Sequence, residues 1–272
     1  MQIHRREQFL RKLLLIGSPL ISVFLLDSVV TDPVNTPKLF ILGVVSCGIF
    51  AALMFGLSKK EILRELVPVF ILVSFLLIGT FTLFTTKSPL TQTIYGVYGR
   101  NNGFLTYLFF SFMFLGGLFI SSLATHLKVL QGLFIAGLVN ILYCGWVIAF
   151  GDFLSWNNPY GNILGTFGNP NFIGAFLGMF FSAWLAYLLG PNTSKNFRIL
   201  SSIVLPLTAL EIYLSHAIQG RVLMAAGSAI ALFFWIKAKF NKRFVTFAYT
   251  LLVGVAGGFA LAGALQVGPL TS

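Results

Sequence analysis

The chain has 272 residues, of which 57% are hydrophobic and 9% charged, and its mean hydropathy is +0.90. Soluble domains carry about 25% charged residues, so this composition excludes an ordinary soluble domain and indicates an integral membrane protein. The net charge is +11. The Lys and Arg residues are distributed among the loops as the positive-inside rule requires for a membrane protein, so we do not expect nucleic acid as a partner. Both cysteines, Cys47 and Cys144, lie in apolar runs, where we expect buried small side chains.

Nine apolar runs are long enough to cross a bilayer, which takes about 20 residues per helix. They cover residues 13–30, 39–57, 66–84, 104–124, 129–149, 171–189, 199–215, 222–236 and 244–265. The sequence therefore predicts an all-α, polytopic membrane protein with about nine transmembrane helices in a single domain, residues 1–272. No small-residue cleavage site follows the first run, so we interpret it as an uncleaved anchor.

The basic residues alternate between successive loops as the positive-inside rule requires. With a cytoplasmic N-terminus, all but four of the 18 Lys and Arg residues fall on the inner side. The outer side keeps Lys38, Lys87, Arg100 and Arg221. This distribution predicts a cytoplasmic N-terminus and an extracytoplasmic C-terminus.

The same orientation places every polar-rich loop on the outer face. These loops are "DSVVTDPVNTPK" (27–38), "TKSPLTQTIYGVYGRNNG" (86–103), "GDFLSWNNPYGNILGTFGNPN" (151–171) and "SHAIQGR" (215–221). A transporter places polar groups near the bilayer midplane and often shows internal repeats, and the sequence has neither pattern. The distribution favours a site at the outer membrane interface.

The stretch "GTFGNPNF" (165–172) precedes the sixth run. Asn169 before Pro170 is typical of an N-cap followed by proline in the first turn, so we expect a helix to start there. Gly165 and Gly168 permit positive φ. One interpretation is a capped helix with a turn in front. The other is a helix N-terminus that binds phosphate, with Gly168, Asn169 and Asn171 as substrate-binding residues.

Arg100, in "YGVYGRNNGF", and Arg221, in "QGRVLM", each follow a glycine on the outer side. An arginine here can simply extend toward lipid headgroups. Flanking glycines and asparagines instead suggest a shaped turn that presents the guanidinium, which binds phosphate through two parallel hydrogen bonds. The candidate substrate-binding residues beside Arg100 are Tyr98, Asn101 and Asn102.

Thr208, Glu211 and Ser215 share one helical face. A carboxylate inside a membrane helix is costly unless paired, so we expect Arg100 or Arg221 to be a partner of Glu211. The pair is either purely structural or part of the site, with Glu211 as a further candidate substrate-binding residue. His216 is a candidate base. Among the other outer-face acids, Asp27 and Asp32 are remote in sequence from the arginine motifs.

Metal and cofactor signatures are missing from the sequence. There is no Cys/His cluster with zinc spacing, no paired D-x-D, no P-loop and no dinucleotide fingerprint. We therefore expect neither a metal nor an organic cofactor.

Four motifs in chain order resemble the bacterial O-antigen ligase and polymerase superfamily, which includes protein O-oligosaccharyltransferases. They are "DPVNTPK", "YGRNNGFLTY", "GTFGNPNFIGAFL" and "QGRVLMAAG". The resemblance spans nearly the whole chain, and "FGNPN" is its most specific element.

The resemblance implies a multi-pass glycosyltransferase of the inner (plasma) membrane. Such an enzyme moves a glycan from a polyprenyl-diphosphate carrier to lipid A core, another glycan or a protein hydroxyl. It implies that Arg100 and Arg221 bind the diphosphate and act in catalysis. The family's histidine in a large outer loop has no counterpart, so we expect residues 1–272 to be the N-terminal part of a family domain that binds the lipid but transfers slowly.

Two alternatives belong to other classes. One is a transporter or flippase of lipid-linked or polar solutes. The other is a membrane scaffold, which would leave the outer-face motifs unexplained.

Overall fold

The computed structural model of the protein describes residues 2–27, 29–97, 99–120, 122–154, 158, 161–240 and 243–264. Regular structure in this part of the chain is entirely helical, which confirms the all-α prediction. The α-helices are α1 (Gln2–Val23), α2 (Asn35–Gly56), α3 (Lys59–Arg64), α4 (Leu66–Thr85), α5 (Leu90–Tyr95), α6 (Phe104–Leu118), α7 (Leu123–Phe150), α8 (Pro170–Leu188), α9 (Lys195–Leu214), α10 (Ile218–Phe240) and α11 (Arg243–Ala264). A short 3-10 helix covers Gly165–Phe167.

Each of the nine apolar runs falls mainly on one helix, and α3 and α5 are six-residue connectors. Among the described residues, six helices are long and apolar enough to cross a membrane, namely α2, α4, α7, α8, α9 and α10. By length and composition, these six identify a multi-pass membrane protein. Helix α6 and the segment Arg243–Gly258 of α11 are apolar but shorter. The count of nine spans and the orientation remain predictions.

The chain divides into two compact units, Met1–Asn169 and Pro170–Ser272. The division falls at the predicted helix start in the "GTFGNPN" stretch. Each unit is described by itself.

In the first unit, α1 packs against α2 and α7, and α2 packs against α6. The core includes Leu10 and Leu14 of α1 and Ile49 of α2, all nearly inaccessible to solvent. A glycine lets α7 approach α1 closely, since a Cβ added to Gly132 of α7 would lie 2.7 Å from the carbonyl oxygen of Leu15 in α1. Helix α2 therefore packs against α1 and α6 along its length, and residues at both of its ends make polar contacts.

One end of α2 lies beside residues that the topology predicted from sequence places in the cytoplasm. The Arg6 guanidinium donates to the Gly56 carbonyl and forms an ion pair with Glu61. Hydrogen bonding to Arg6 holds the pKa of the Glu61 carboxyl well below its usual range. The other end of α2 lies about 33 Å away along the helix. Residues of the "DPVNTPK" motif, the Arg100 loop and the "GTFG" turn contact one another at that second end.

In the second unit, α8 packs against α9 and α10. Glycines bring α8 and α10 together: a Cβ on Gly220 would lie 2.5 Å from the carbonyl oxygen of Gly174. Trp184 of α8 donates its indole N–H to the Ser201 hydroxyl of α9 at 2.9 Å, with both residues buried. The short connection between α9 and α10, residues 215–217, carries His216.

Candidate functional site

The N-terminus of α2 is capped by the loop that precedes it. Oδ1 of Asp32 accepts the backbone N–H groups of Val34 and Asn35 at 3.1 and 2.9 Å. The Asn35 side chain then donates to the carbonyl oxygen of Gly99 at 2.7 Å. This bond joins the "DPVNTPK" motif to the loop that carries Arg100, although 64 residues separate the two partners.

The Arg100 loop, residues 96–103, is closed at its base by two glycines. A Cβ on Gly103 would lie 2.3 Å from the backbone nitrogen of Gly96, so no side chain fits between the two. Inside the loop, the Val97 carbonyl accepts the N–H groups of Arg100 and Asn101 at 3.0 and 3.1 Å.

Asn101 has a φ of 46°, a left-handed conformation that asparagine tolerates well. Its carbonyl accepts the Thr106 hydroxyl, which ties the loop to the first turn of α6. The shaped turn predicted around Arg100 is therefore confirmed, and Arg100 is exposed on it. Tyr98 lies outside the described residues.

A groove of about 570 Å³ lies between α4 and α6 and reaches the Arg100 loop. Phe75, Ile78 and Leu83 of α4 and Phe104 and Tyr107 of α6 provide apolar lining. The polar lining residues at and near the loop are Thr82, Thr86, Ser88, Gln92, Thr93 and Asn102. No residue of α4 is buried, which suits a helix that faces lipid. The Arg100 loop contributes Gly96, Val97, Asn102 and Gly103 to the lining, and Arg100 itself is not a lining residue.

The "GTFG" turn is held by polar groups in the first unit. Oδ1 of the fully buried Asn140, in the middle of α7, accepts the N–H of Thr166 at 3.0 Å. The Lys38 ammonium donates to the carbonyls of Thr166 and Ser22 at 2.7 and 2.6 Å and lies 4.2 Å from the Phe167 ring centre. Buried backbone away from a regular element needs such partners.

Sequence reasoning assigned no role to Lys38 or Asn140. The available signal was each residue's position: a lysine directly before an apolar run, and an asparagine in the middle of another. Intramembrane polar residues are expensive and therefore informative.

Gly165 and Gly168 have φ values of 55° and 64°, and α8 begins at Pro170, both as predicted. Gly168 also has a packing role: a Cβ there would lie 2.8 Å from the Val34 side chain. The stretch is therefore a packed structural element. Whether it also binds phosphate remains a prediction, as do the binding roles of Asn169 and Asn171, which both make other contacts.

In the second unit, Thr208, Glu211 and Ser215 are all buried along α9 and its C-cap, as their shared face predicts. The arginine partner expected for Glu211 is not found: neither carboxylate oxygen has a hydrogen-bond partner in the described part of the chain. Arg221 is exposed in the first turn of α10.

His216 has a φ of 55° and is exposed between the buried Ser215 and Ala217. The Ser215 hydroxyl donates to the Ile212 carbonyl and accepts the N–H of Ala217. This turn presents the imidazole to the surface, and its catalytic role remains a prediction.

The structure thus joins three of the four quoted motifs in the first unit, through Asn35, Gly99, Lys38, Thr166 and the Val34–Gly168 contact. The fourth, with Arg221, belongs to the second unit. Within the described residues, no group of three or more His, Cys, Asp or Glu side chains could hold a metal ion.

Comparison with models of known protein families, with curated proteins and with solved structures found no match to this chain. The resemblance to the O-antigen ligase and polymerase superfamily therefore rests on the quoted motifs.

Proposed function

We propose that the chain binds a polyprenyl-diphosphate-linked glycan at the outer face of the inner membrane, as part of an O-antigen ligase-type glycosyltransferase. The observation that carries this proposal is the groove between α4 and α6, which ends at the closed loop that presents Arg100. An apolar groove that reaches the loop carrying an exposed arginine suits an amphipathic ligand with a long hydrocarbon tail and an anionic head.

In the proposed mechanism, the isoprenoid tail lies along Phe75, Ile78 and Phe104, and the diphosphate meets Arg100. The guanidinium holds the diphosphate while an acceptor hydroxyl attacks the anomeric carbon. The bond between that carbon and the phosphate oxygen breaks, the hydroxyl proton passes to water, and the guanidinium stabilises the negative charge on the departing diphosphate. Arginine is better suited than lysine because its planar fork donates two parallel hydrogen bonds.

Blocking the groove tests where the tail binds. Thr82 lines the groove and Thr80 does not, and each donates its hydroxyl to the carbonyl four residues earlier in α4. Burial of each CH₂ group contributes about 0.8 kcal/mol. If the tryptophan of Thr82→Trp excludes two CH₂ groups of the tail from the groove, polyprenyl-diphosphate binding should weaken roughly tenfold. The matched variant Thr80→Trp should bind like wild type. Equal binding by both variants would remove the groove from the proposal.

The arginine is tested with Arg100→Lys, which keeps the charge and removes the paired donors. Loss of a charge-assisted hydrogen bond should weaken binding by about 1.5–3 kcal/mol. Lys87→Arg, which changes another outer-face cation, should leave affinity unaltered. Unchanged affinity in Arg100→Lys would indicate that Arg100 only extends toward lipid headgroups and does not bind the diphosphate.

One observation favours a second candidate, a transporter or flippase. Glu211 is fully buried in a candidate span and lacks a hydrogen-bond partner in the described part of the chain. Intramembrane carboxylates often mark ion or substrate pathways. Reconstituted vesicles distinguish the candidates: a flippase moves a fluorescent lipid-linked glycan between leaflets in a Glu211-dependent manner, and a glycosyltransferase does not.

A further inference from the structure

Asp32 has a buried acceptor oxygen that the fold does not use. The residue is 8% exposed, and Oδ1 caps α2 through the N–H groups of Val34 and Asn35. Oδ2 has no hydrogen-bond partner among the described residues. Buried polar atoms in native proteins are almost always hydrogen-bonded, so this oxygen requires an explanation.

No cation in the described part of the chain neutralises Asp32. The ion pairs found there join Arg6 to Glu61 and Arg64 to Glu65. Lys38, six residues further along, donates instead to the carbonyls of Ser22 and Thr166. Asp32 is thus a carboxylate held in place by the start of α2, with one buried oxygen that lacks a donor among the described residues.

Asp32 lies beside the Arg100 loop in space, although it is remote in sequence. Its Oδ1 is 3.4 Å from the Asn35 amide nitrogen, and that nitrogen is 2.7 Å from the Gly99 carbonyl oxygen. A single side chain therefore separates the carboxylate from the residue before Arg100. The same asparagine fixes the loop and the cap relative to each other.

From this arrangement we infer that Asp32 Oδ2 accepts a hydrogen bond from a hydroxyl of the first sugar on the diphosphate. The inference rests on the proposed function, because Arg100 would hold the diphosphate and the first sugar is attached to it. An ionised carboxylate is an acceptor only, and sugar hydroxyls are the donors next to the diphosphate. Asp32 is then a recognition residue for the glycan part of the donor.

The residues before Asp32 lie at the surface of the first unit: Val29 is 73% exposed and Thr31 is also exposed. The cap bonds of Oδ1 hold the carboxylate in one orientation. The helix end therefore provides a preorganised acceptor.

The test compares two probes: a short-chain polyprenyl diphosphate, and the same lipid carrying one hexose. Wild-type protein in detergent should bind the hexose-bearing lipid more tightly. Asp32→Asn should lose roughly 10- to 100-fold of affinity for that lipid only, because its side chain still caps α2 but presents an amide N–H in place of Oδ2. Asp32→Ser, which caps through its hydroxyl, should behave in the same way.

Asp27→Asn is the matched control, because it removes the same charge from the same loop and should keep the preference for the hexose. Thermal unfolding of each variant checks that the cap is intact. If wild type binds neither lipid, the proposed function fails, and this inference with it. If both lipids bind equally to wild type, or the Asp32 variants keep the preference, only the inference is overturned. Abolition of the preference by EDTA would also overturn it, since a divalent cation would then occupy Asp32.

Discussion

Replacing Asn140 with leucine tests how the "GTFG" turn is held. Oδ1 of Asn140 accepts both the N–H and the hydroxyl of Thr166, at 3.0 and 2.9 Å. The hydroxyl has a second acceptor in the Ser22 carbonyl at 2.8 Å, so it keeps a partner in Asn140→Leu. The Thr166 N–H loses its acceptor in a buried position, which should cost about 1–3 kcal/mol.

Amide hydrogen exchange in detergent measures this loss directly. Protection of the Thr166 amide should fall roughly 5- to 150-fold in Asn140→Leu, the equivalent of that free energy. Ser46→Ala removes another buried side-chain bond of the first unit, to the Phe109 carbonyl, and should leave Thr166 protection unchanged. Unchanged protection of Thr166 in Asn140→Leu would refute the role assigned to Asn140.

Gly103→Ala should abolish binding of polyprenyl diphosphate by opening the Arg100 loop. Gly117→Ala, in the adjoining helix α6, should not, since a Cβ at Gly117 meets nothing within 4 Å; equal binding would show that loop closure is dispensable. Gly168→Ala should destabilise the protein more than Gly161→Ala, because both glycines have a positive φ but only a Cβ at Gly168 would meet Val34. Equal decreases in unfolding temperature would show that backbone strain, and not the contact with Val34, causes the destabilisation. Arg6 lowers the pKa of Glu61 from 4.5 to about 2, so its stabilising effect is present above pH 4.5 and is lost as the pH falls through about 2. The unfolding temperature should therefore fall less over this range in Glu61→Gln than in wild type, and parallel curves would contradict the ion pair. Single cysteines at Gly161 and Lys195 should be labelled from outside and inside respectively; labelling of both from one side would refute the predicted topology.

Much of the secondary structure could be predicted from sequence. Hydrophobic runs of sufficient length identify helices because bilayer and core burial both require apolar surface. The start of α8 at Pro170 and the left-handed Gly165 and Gly168 followed from residue types with strong backbone preferences.

Side-chain partners were harder to predict, because helical periodicity specifies a face and not the neighbour on it. Glu211 was expected to pair with an arginine, yet its oxygens have no partner in the described residues. Asp32 was set aside as remote from the arginine motifs, yet Asn35 connects it to the Arg100 loop. Lys38 and Asn140 are recognisable as partners of Thr166 only once α2 and α7 are placed around it.

The most direct test of lipid binding at the Arg100 loop is photo-crosslinking with a polyprenyl diphosphate that carries a diazirine near the head end of its tail. If the lipid binds as proposed, we expect crosslinks in the groove of α4 and α6, at residues such as Ile78, Thr82 and Phe104. Excess unlabelled lipid should reduce their yield. Arg100→Ala should reduce their yield. Crosslinks concentrated in the apolar groove between α10 and α11, around Phe233 and Val253, or a yield in α4 and α6 that is independent of Arg100, would contradict the proposal.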